Sequence, residues 1–175
     1  MCTVAERLWV GLILDLKNLF VSEGAKIVID RTVDMSDADY SGEYPLKKPV
    51  IAKGSISNKA SVVTLILKID YEYSAPCDRC FEPATQKHSI TLDKILAASI
   101  EGEESDTIIT VPDMKLDVDE LIFSEVYLSL PTKHLCKETC KGVCATCGKN
   151  LNEGECNCNE KEIDPRLQKL AELLK

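Results

Sequence analysis

The chain has 175 residues, 45% of them hydrophobic and 29% charged, with a formal net charge of −8. This is enough apolar material for one folded core of ordinary size. The acidic balance excludes autonomous, tight binding to RNA or DNA, which calls for a basic patch, and no apolar run approaches the roughly 18 residues of a membrane span.

Residues 1–25 carry little periodicity. LWVGLIL, at 8–14, is the longest early apolar run, and Asp15 and Lys17 follow it with no small-residue cleavage site, so a signal peptide is not expected. The expected compartment is the cytoplasm, where thiols stay reduced. LDLKNLF reads as a short helical turn. In KIVIDRTVD, at 26–34, Ile27, Ile29 and Val33 share one face and Asp30, Thr32 and Asp34 the other, the pattern of a half-buried strand. A turn-rich loop follows at 35–45. VIAKGSIS, at 50–57, is a second strand, and Asn58 and Lys59 are expected to turn the chain into a hairpin.

The next strand has the clearest pattern. Val63, Leu65, Leu67, Ile69, Tyr71 and Tyr73 alternate with Thr64, Ile66, Lys68, Asp70 and Glu72, giving one β-prone apolar face. APCDRCFEP then puts Cys77 and Cys80 in the turn before another strand, ATQKHSITLDKIL. Asp70, Glu72 and Asp78 read as solvated charges, and His88 as an ordinary strand residue. An acidic loop, EGEESD, precedes a short strand, TIITV. A helix is expected from Asp117 as N-cap, with Glu120 in the manner of a capping box. Leu121, Ile122, Val126 and Leu128 would form its apolar side, and Pro131 would stop it. A terminal helix is signalled by Asp164 as cap, Pro165 at the first position, and Leu167, Leu170 and Leu174 at helical spacing. The fold class is α+β, with an antiparallel sheet or open barrel and a helical, cysteine-rich, zinc-binding C-terminal segment. The expected division is a sheet domain over 1–131 and a metal-binding tail over 132–175.

Nine cysteines need an account. A disulfide framework requires an oxidising compartment and usually a shorter chain, so metal is the better reading. Eight of the nine form close pairs: Cys77 with Cys80, Cys136 with Cys140, Cys144 with Cys147, and Cys156 with Cys158. Tetrahedral zinc takes four thiolates at about 2.3 Å. CATCG has the form of a metal knuckle, eased by Gly148, and a loop containing Gly154 returns the chain to the last pair. Cys144, Cys147, Cys156 and Cys158 are the first candidate site. Cys136 and Cys140 cannot close a site alone, so Cys77 and Cys80 complete a second one, tying the strand turn to the tail. A rival partition joins Cys136, Cys140, Cys144 and Cys147 and leaves Cys77 and Cys80 free. The cofactor expected is Zn(2+), one or two per chain. Each four-thiolate zinc site carries a net −2, so two would bring the formal charge to about −12. Arg79, Lys133, Lys137, Lys141 and Lys149 lie beside the cysteines and can offset it. His134 is a possible substitute ligand. Cys2 stands apart. A catalytic dithiol usually sits at a helix N-terminus, whereas CDRC links two strands. No Ser-His-Asp order, phosphate loop or paired-carboxylate signature is present.

APCDRCFEP, LSLPTKHLCKETCKGVCATCGKNLNEGECNC and IDPRLQKL, taken in order, resemble the bacterial YceD family, the large ribosomal RNA subunit accumulation proteins, in the cysteine-tailed form found in Firmicutes and their relatives. The likeness runs from about Leu12 to the C-terminus. Residues 1–10 do not fit and are expected to be an extension from an upstream start codon, and Ala145 stands where a proline is expected. The resemblance implies a non-enzymatic ribosome-biogenesis factor that supports accumulation or maturation of large-subunit ribosomal RNA. It transfers Cys77, Cys80 and the tail cysteines as the marked positions. The acidity suggests a basic ribosomal protein or a large-subunit assembly intermediate as partner, and no membrane. The second reading is a thiol redox or metal-responsive protein that uses Cys77 and Cys80 as a working dithiol.

Overall fold

The computed structural model describes residues 11–40, 42–99 and 106–158. The acidic loop, apart from Asp106, the predicted terminal helix and Cys2 lie outside the described residues. The order of elements is β1 (Ile13–Asp15), α1 (Lys17–Val21), β2 (Lys26–Val33), β3 (Val50–Lys59), β4 (Val62–Pro76), β5 (Pro83–Ala97), β6 (Ile108–Thr110), β7 (Lys115–Asp117) and α2 (Val118–Ser129). The main sheet has five strands in the order β2-β3-β4-β5-β6, and β1 pairs with β7 in a separate small ladder. Three ladders of the main sheet are antiparallel. The fourth, β5 with β6, is parallel, so the sheet is mixed.

The alternation read from β4 places its side chains as expected. Val63, Leu65, Leu67, Ile69, Tyr71 and Tyr73 are all buried. They join Ile29 and Val33 of β2, Ala52 and Ile56 of β3, and Leu92 and Leu96 of β5 in one core. Leu16 and Leu19, at and in α1, and Val118, Ile122 and Val126 of α2 cover that face. Each such aliphatic side chain contributes about 2 kcal/mol on burial.

Two local expectations are corrected. The β3–β4 hairpin turns at Ala60 and Ser61, both at positive φ (51° and 63°), not at Asn58 and Lys59. Asn58 remains in the strand because tertiary contacts hold its side-chain NH2 and its backbone N–H, although its Oδ1 is buried without a partner. Its side-chain amide donates to the Leu19 carbonyl at 2.8 Å and its backbone N–H to the Ala25 carbonyl at 3.0 Å. The turn preference of asparagine is thereby outweighed. In α2, the Asp117 carboxylate accepts from the N–H groups of Asp119 and Glu120, as a cap should. Leu128, however, is 81% exposed. The apolar side is formed by Val118, Ile122 and Val126, with Leu121 partly buried against the same core, and the buried Asp119 is bound by the Arg31 fork at 2.8 and 2.6 Å.

β4 and β5 pair over their full length, from Val63 with Leu96 to Pro76 with Pro83. This long hairpin carries its tip, Cys77 to Glu82, to where the tail arrives after α2.

Candidate metal centres

The hairpin tip and CATCG have the same local fold. In the first, the Phe81 N–H donates to the Cys77 carbonyl and the Cys77 N–H to the Glu82 carbonyl, each at 2.9 Å. In the second, the Gly148 N–H donates to the Cys144 carbonyl and the Cys144 N–H to the Lys149 carbonyl, each again at 2.9 Å. The residue after the second cysteine has positive φ in both, 60° at Phe81 and 73° at Gly148. The spacing shared by CDRC and CATC, two residues between the cysteines, is thus realised as a twice-used knuckle. Glycine meets the backbone requirement in one copy, whereas phenylalanine in the other is under strain.

The structure brings the eight paired cysteines into two quartets. The sulfurs of Cys77, Cys80, Cys136 and Cys140 lie within 4.8 Å of one another, and so do those of Cys144, Cys147, Cys156 and Cys158. The four sulfurs of the rival partition are divided between them. A tetrahedron with arms of about 2.3 Å has edges of about 3.8 Å. Cys77 and Cys140 are 3.9 Å apart at sulfur, and Cys80 and Cys136 are 3.6 Å apart. Both donor sets are all-thiol and of the right size for a tetrahedral soft-metal ion, and either quartet can hold one.

The quartets differ in setting. In the first, here called the clasp, Cys77, Cys80 and Cys140 are buried and Cys136 is exposed. In the outer quartet Cys147 is exposed and the other three are half-buried.

More than sulfur fixes the clasp. Asp78 and His134 exchange two hydrogen bonds. The Asp78 N–H donates to the His134 carbonyl at 2.9 Å, and the His134 N–H to the Asp78 carboxylate at 2.6 Å. The Gln86 side chain donates to the Leu135 carbonyl at 2.8 Å. The His134 ring is buried, packs edge-on to Tyr73 at 4.9 Å, and places Nε2 3.1 Å from the Ala84 carbonyl oxygen. It belongs to neither quartet. Asp78, read from sequence as a solvated charge, is a docking residue. The sequence offers no signal for that role, because the partner is 56 positions away. Of the cations beside the cysteines, Arg79 donates to the Cys140 carbonyl at 2.7 Å and Lys149 to the Glu155 carbonyl at 2.8 Å.

Without metal the thiols divide into acidic and reluctant members. Burial pushes the Cys77 thiol up, but hydrogen bonds from the backbone of Cys136, Arg79 and Cys80 outweigh it and bring it down to about 6. The Asn152 side chain lowers Cys140 against burial. The Glu82 backbone pulls Cys80 down, yet burial and the Cys77 and Cys140 sulfurs leave it raised. Cys136 belongs to an exposed residue, but its sulfur is desolvated within the cluster and crowded by the other three, and it is pushed up to about 12. In the outer quartet the backbone N–H groups of Cys147 and Thr146 bring Cys144 down to about 6, while the Cys147 sulfur and then burial push Cys158 up to about 12. Thiolates stabilised by backbone N–H groups are the ligands a metal of this class requires.

The architecture and the site define a class: a sheet-bodied protein whose tail returns to a hairpin tip, where one cysteine quartet brings the two together and a second quartet lies within the tail. A family model described as "Large ribosomal RNA subunit accumulation protein YceD" matches residues 65–174, and the chain belongs to that family. The match takes in both quartets. An uncharacterized protein of Mycobacterium tuberculosis is 33% identical over 102 residues, covering 56% of this chain and 49% of that protein. The chloroplastic "Large ribosomal RNA subunit accumulation protein YCED homolog 1" of Arabidopsis thaliana is 37% identical over 54 residues, 30% of this chain and 17% of that one. Its Zea mays counterpart is 24% identical over 157 residues, 71% of this chain and 53% of that one. The chain thus spans about half the length, or less, of these relatives. No solved structure matches it.

Proposed function

We propose that the protein is a non-enzymatic ribosome-biogenesis factor that supports accumulation or maturation of large-subunit ribosomal RNA, with a structural zinc ion in each cysteine quartet. The observation that carries the role is the family match over residues 65–174, and two relatives bear the same description. Zinc is the metal favoured by an all-thiolate tetrahedral donor set. The reading keeps a sheet body over 1–131 and a tail over 132–175, held together by the clasp. No helix among the described residues is long and apolar enough to cross a membrane, and action in the cytoplasm follows from the ribosomal role. The net charge of −8 favours a basic ribosomal protein or an assembly intermediate as the direct partner over naked RNA.

The redox reading is not favoured. Cys77 and Cys80 are 0% and 6% exposed and face two further sulfurs, whereas a working dithiol needs access to its substrate.

Two measurements test the proposal. A deletion strain should under-accumulate large-subunit ribosomal RNA, and the protein should co-sediment with large-subunit precursors; normal rRNA levels in the deletion would reject the role. Elemental analysis should find two zinc ions per chain, and one in the variant carrying both Cys77→Ser and Cys80→Ser. Two zinc ions in that variant would reject the clasp as a metal centre.

A further inference from the structure

One side chain reaches from the loop of the outer quartet to a sulfur of the clasp. Asn152 lies in the loop between Cys147 and Cys156, so it belongs by sequence to the outer quartet. Its amide nevertheless points at the clasp. Nδ2 donates to the Cys140 sulfur at 3.3 Å and to the Asn150 side-chain oxygen at 2.8 Å, and Oδ1 accepts from the Lys141 N–H at 2.9 Å. The backbone beneath it is held too. The Leu151 N–H donates to the Gly142 carbonyl at 2.8 Å, and Val143 and Asn150 form an isolated bridge. A Cβ on Gly142, at φ +76°, would stand 3.0 Å from the Arg79 carbonyl oxygen, which accepts from the Val143 N–H at 3.1 Å. A continuous chain of contacts thus runs from the outer loop through residues 140–143 to the hairpin tip.

We propose that Asn152 couples the two centres, so that filling the outer centre tightens the clasp. This rests on the reading of both quartets as metal centres. The physical reason is the geometry of the loop. Its two ends are Cys147 and Cys156, and a metal in the outer quartet fixes both. A loop with fixed ends presents the Asn152 amide to Cys140 already ordered. A loop with free ends must first be ordered, and that entropy cost is subtracted from the bond. Hydrogen bonds to ligand atoms tune a metal site, and their loss typically lowers affinity 10–100-fold. By linkage the effect is reciprocal, and the clasp tightens the outer centre by the same factor. Repulsion between two centres of net −2 opposes this coupling, and because salt screens the repulsion, the coupling grows with ionic strength.

The test is a zinc titration of the full chain against a competing chelator. Occupancy of the clasp is read by mass spectrometry as protection of Cys77 and Cys80 from alkylation. Asn152→Ala should weaken the clasp about ten-fold while two ions still bind. Cys156→Ser with Cys158→Ser, which removes the outer centre, should weaken the clasp by a similar factor. All three changes together should weaken it no further. Asn152→Asp, which sets a carboxylate against the thiolates and keeps the acceptor for Lys141, should weaken it at least as much as Asn152→Ala. Two ions that bind the wild type with independent affinities, or effects that multiply in the combined variant, would overturn the coupling alone. Fewer than two ions in the wild type would overturn the two-centre reading together with it.

Discussion

At the scale of single residues, two positions carry a cost that can be measured. Phe81 sits at φ 60° and is 69% exposed. A left-handed conformation costs a residue with a Cβ about 1–2 kcal/mol, and an exposed ring recovers little by packing. Phe81→Gly should therefore stabilise the hairpin tip by about 1 kcal/mol, seen as a higher midpoint of thermal unfolding. A lower midpoint would mean that the ring makes a contact worth more than the strain. Asp119 is the opposite case. It is 3% exposed and takes both hydrogen bonds of the Arg31 fork, with a third from the Leu12 N–H at 3.3 Å. The fork lowers the carboxyl against burial. A carboxylate with a lowered folded value contributes stability that is fully present above the ordinary value of about 4 and is lost as pH falls through the folded value. Asp119→Asn should cost about 1–3 kcal/mol at neutral pH, because a charged hydrogen bond is removed while the partly exposed Arg31 can be resolvated. Below about pH 4 the gap between variant and wild type should close. A gap in urea-unfolding free energy that does not narrow at all as pH falls below about 4 would reject this account.

At the scale of elements, the β3–β4 ladder depends on one missing side chain. A Cβ on Gly54 would stand 2.0 Å from the Ile66 carbonyl oxygen and 2.7 Å from the Leu67 Cα, both backbone atoms. Neither can rotate away, so Gly54→Ala should cost about 3 kcal/mol, the upper end for overpacking, measured as a lowered urea midpoint. A variant of wild-type stability would mean the strands pair in another register. The same ladder shows what the sequence could and could not reveal. β4 was legible because one residue in two is apolar over its whole length, and only one register buries that set. The cap at Asp117 was legible because its partners lie two and three residues on. The turn after β3 is not legible at Asn58, because the carbonyl that takes its side-chain NH2 belongs to Leu19, 39 positions away. The parallel pairing of β6 left no mark on three residues of side-chain pattern. Spacing alone left two partitions of the cysteines open, and the sulfur geometry matches one of them, whereas the docking of Asp78 on His134 left no mark in the spacing at all.

At the scale of the whole molecule, the charge state of the quartets links metal, pH and the attachment of the tail. A four-thiolate centre needs every sulfur deprotonated, yet at neutral pH the metal-free clasp still holds protons on Cys80, which is raised, and on Cys136, raised to about 12. In the outer quartet Cys158, raised to about 12, keeps its proton as well. Cys77 and Cys144, brought down to about 6, are already mostly thiolates. Zinc uptake must therefore release protons, and apparent affinity must fall as pH is lowered, most steeply once Cys77 and Cys144 also begin to protonate near pH 6. Calorimetric titrations in buffers of different ionisation enthalpy should report proton release at the clasp, with Cys80 and Cys136 among the thiols that give theirs up. They are best made on the chain carrying Cys156→Ser and Cys158→Ser, where that site is isolated. Because the clasp joins residues 136–140 to the tip of the β4–β5 hairpin, acid or a chelator should expose the tail to protease before the sheet is lost. The hydrogen bonds of His134 and Gln86 would remain, and at about 1 kcal/mol each they do not replace an ion whose apparent binding free energy is about 10–16 kcal/mol in small zinc peptides. Zinc binding with no proton release, or a tail equally resistant to protease with and without metal, would show that the sulfurs are not what fastens it.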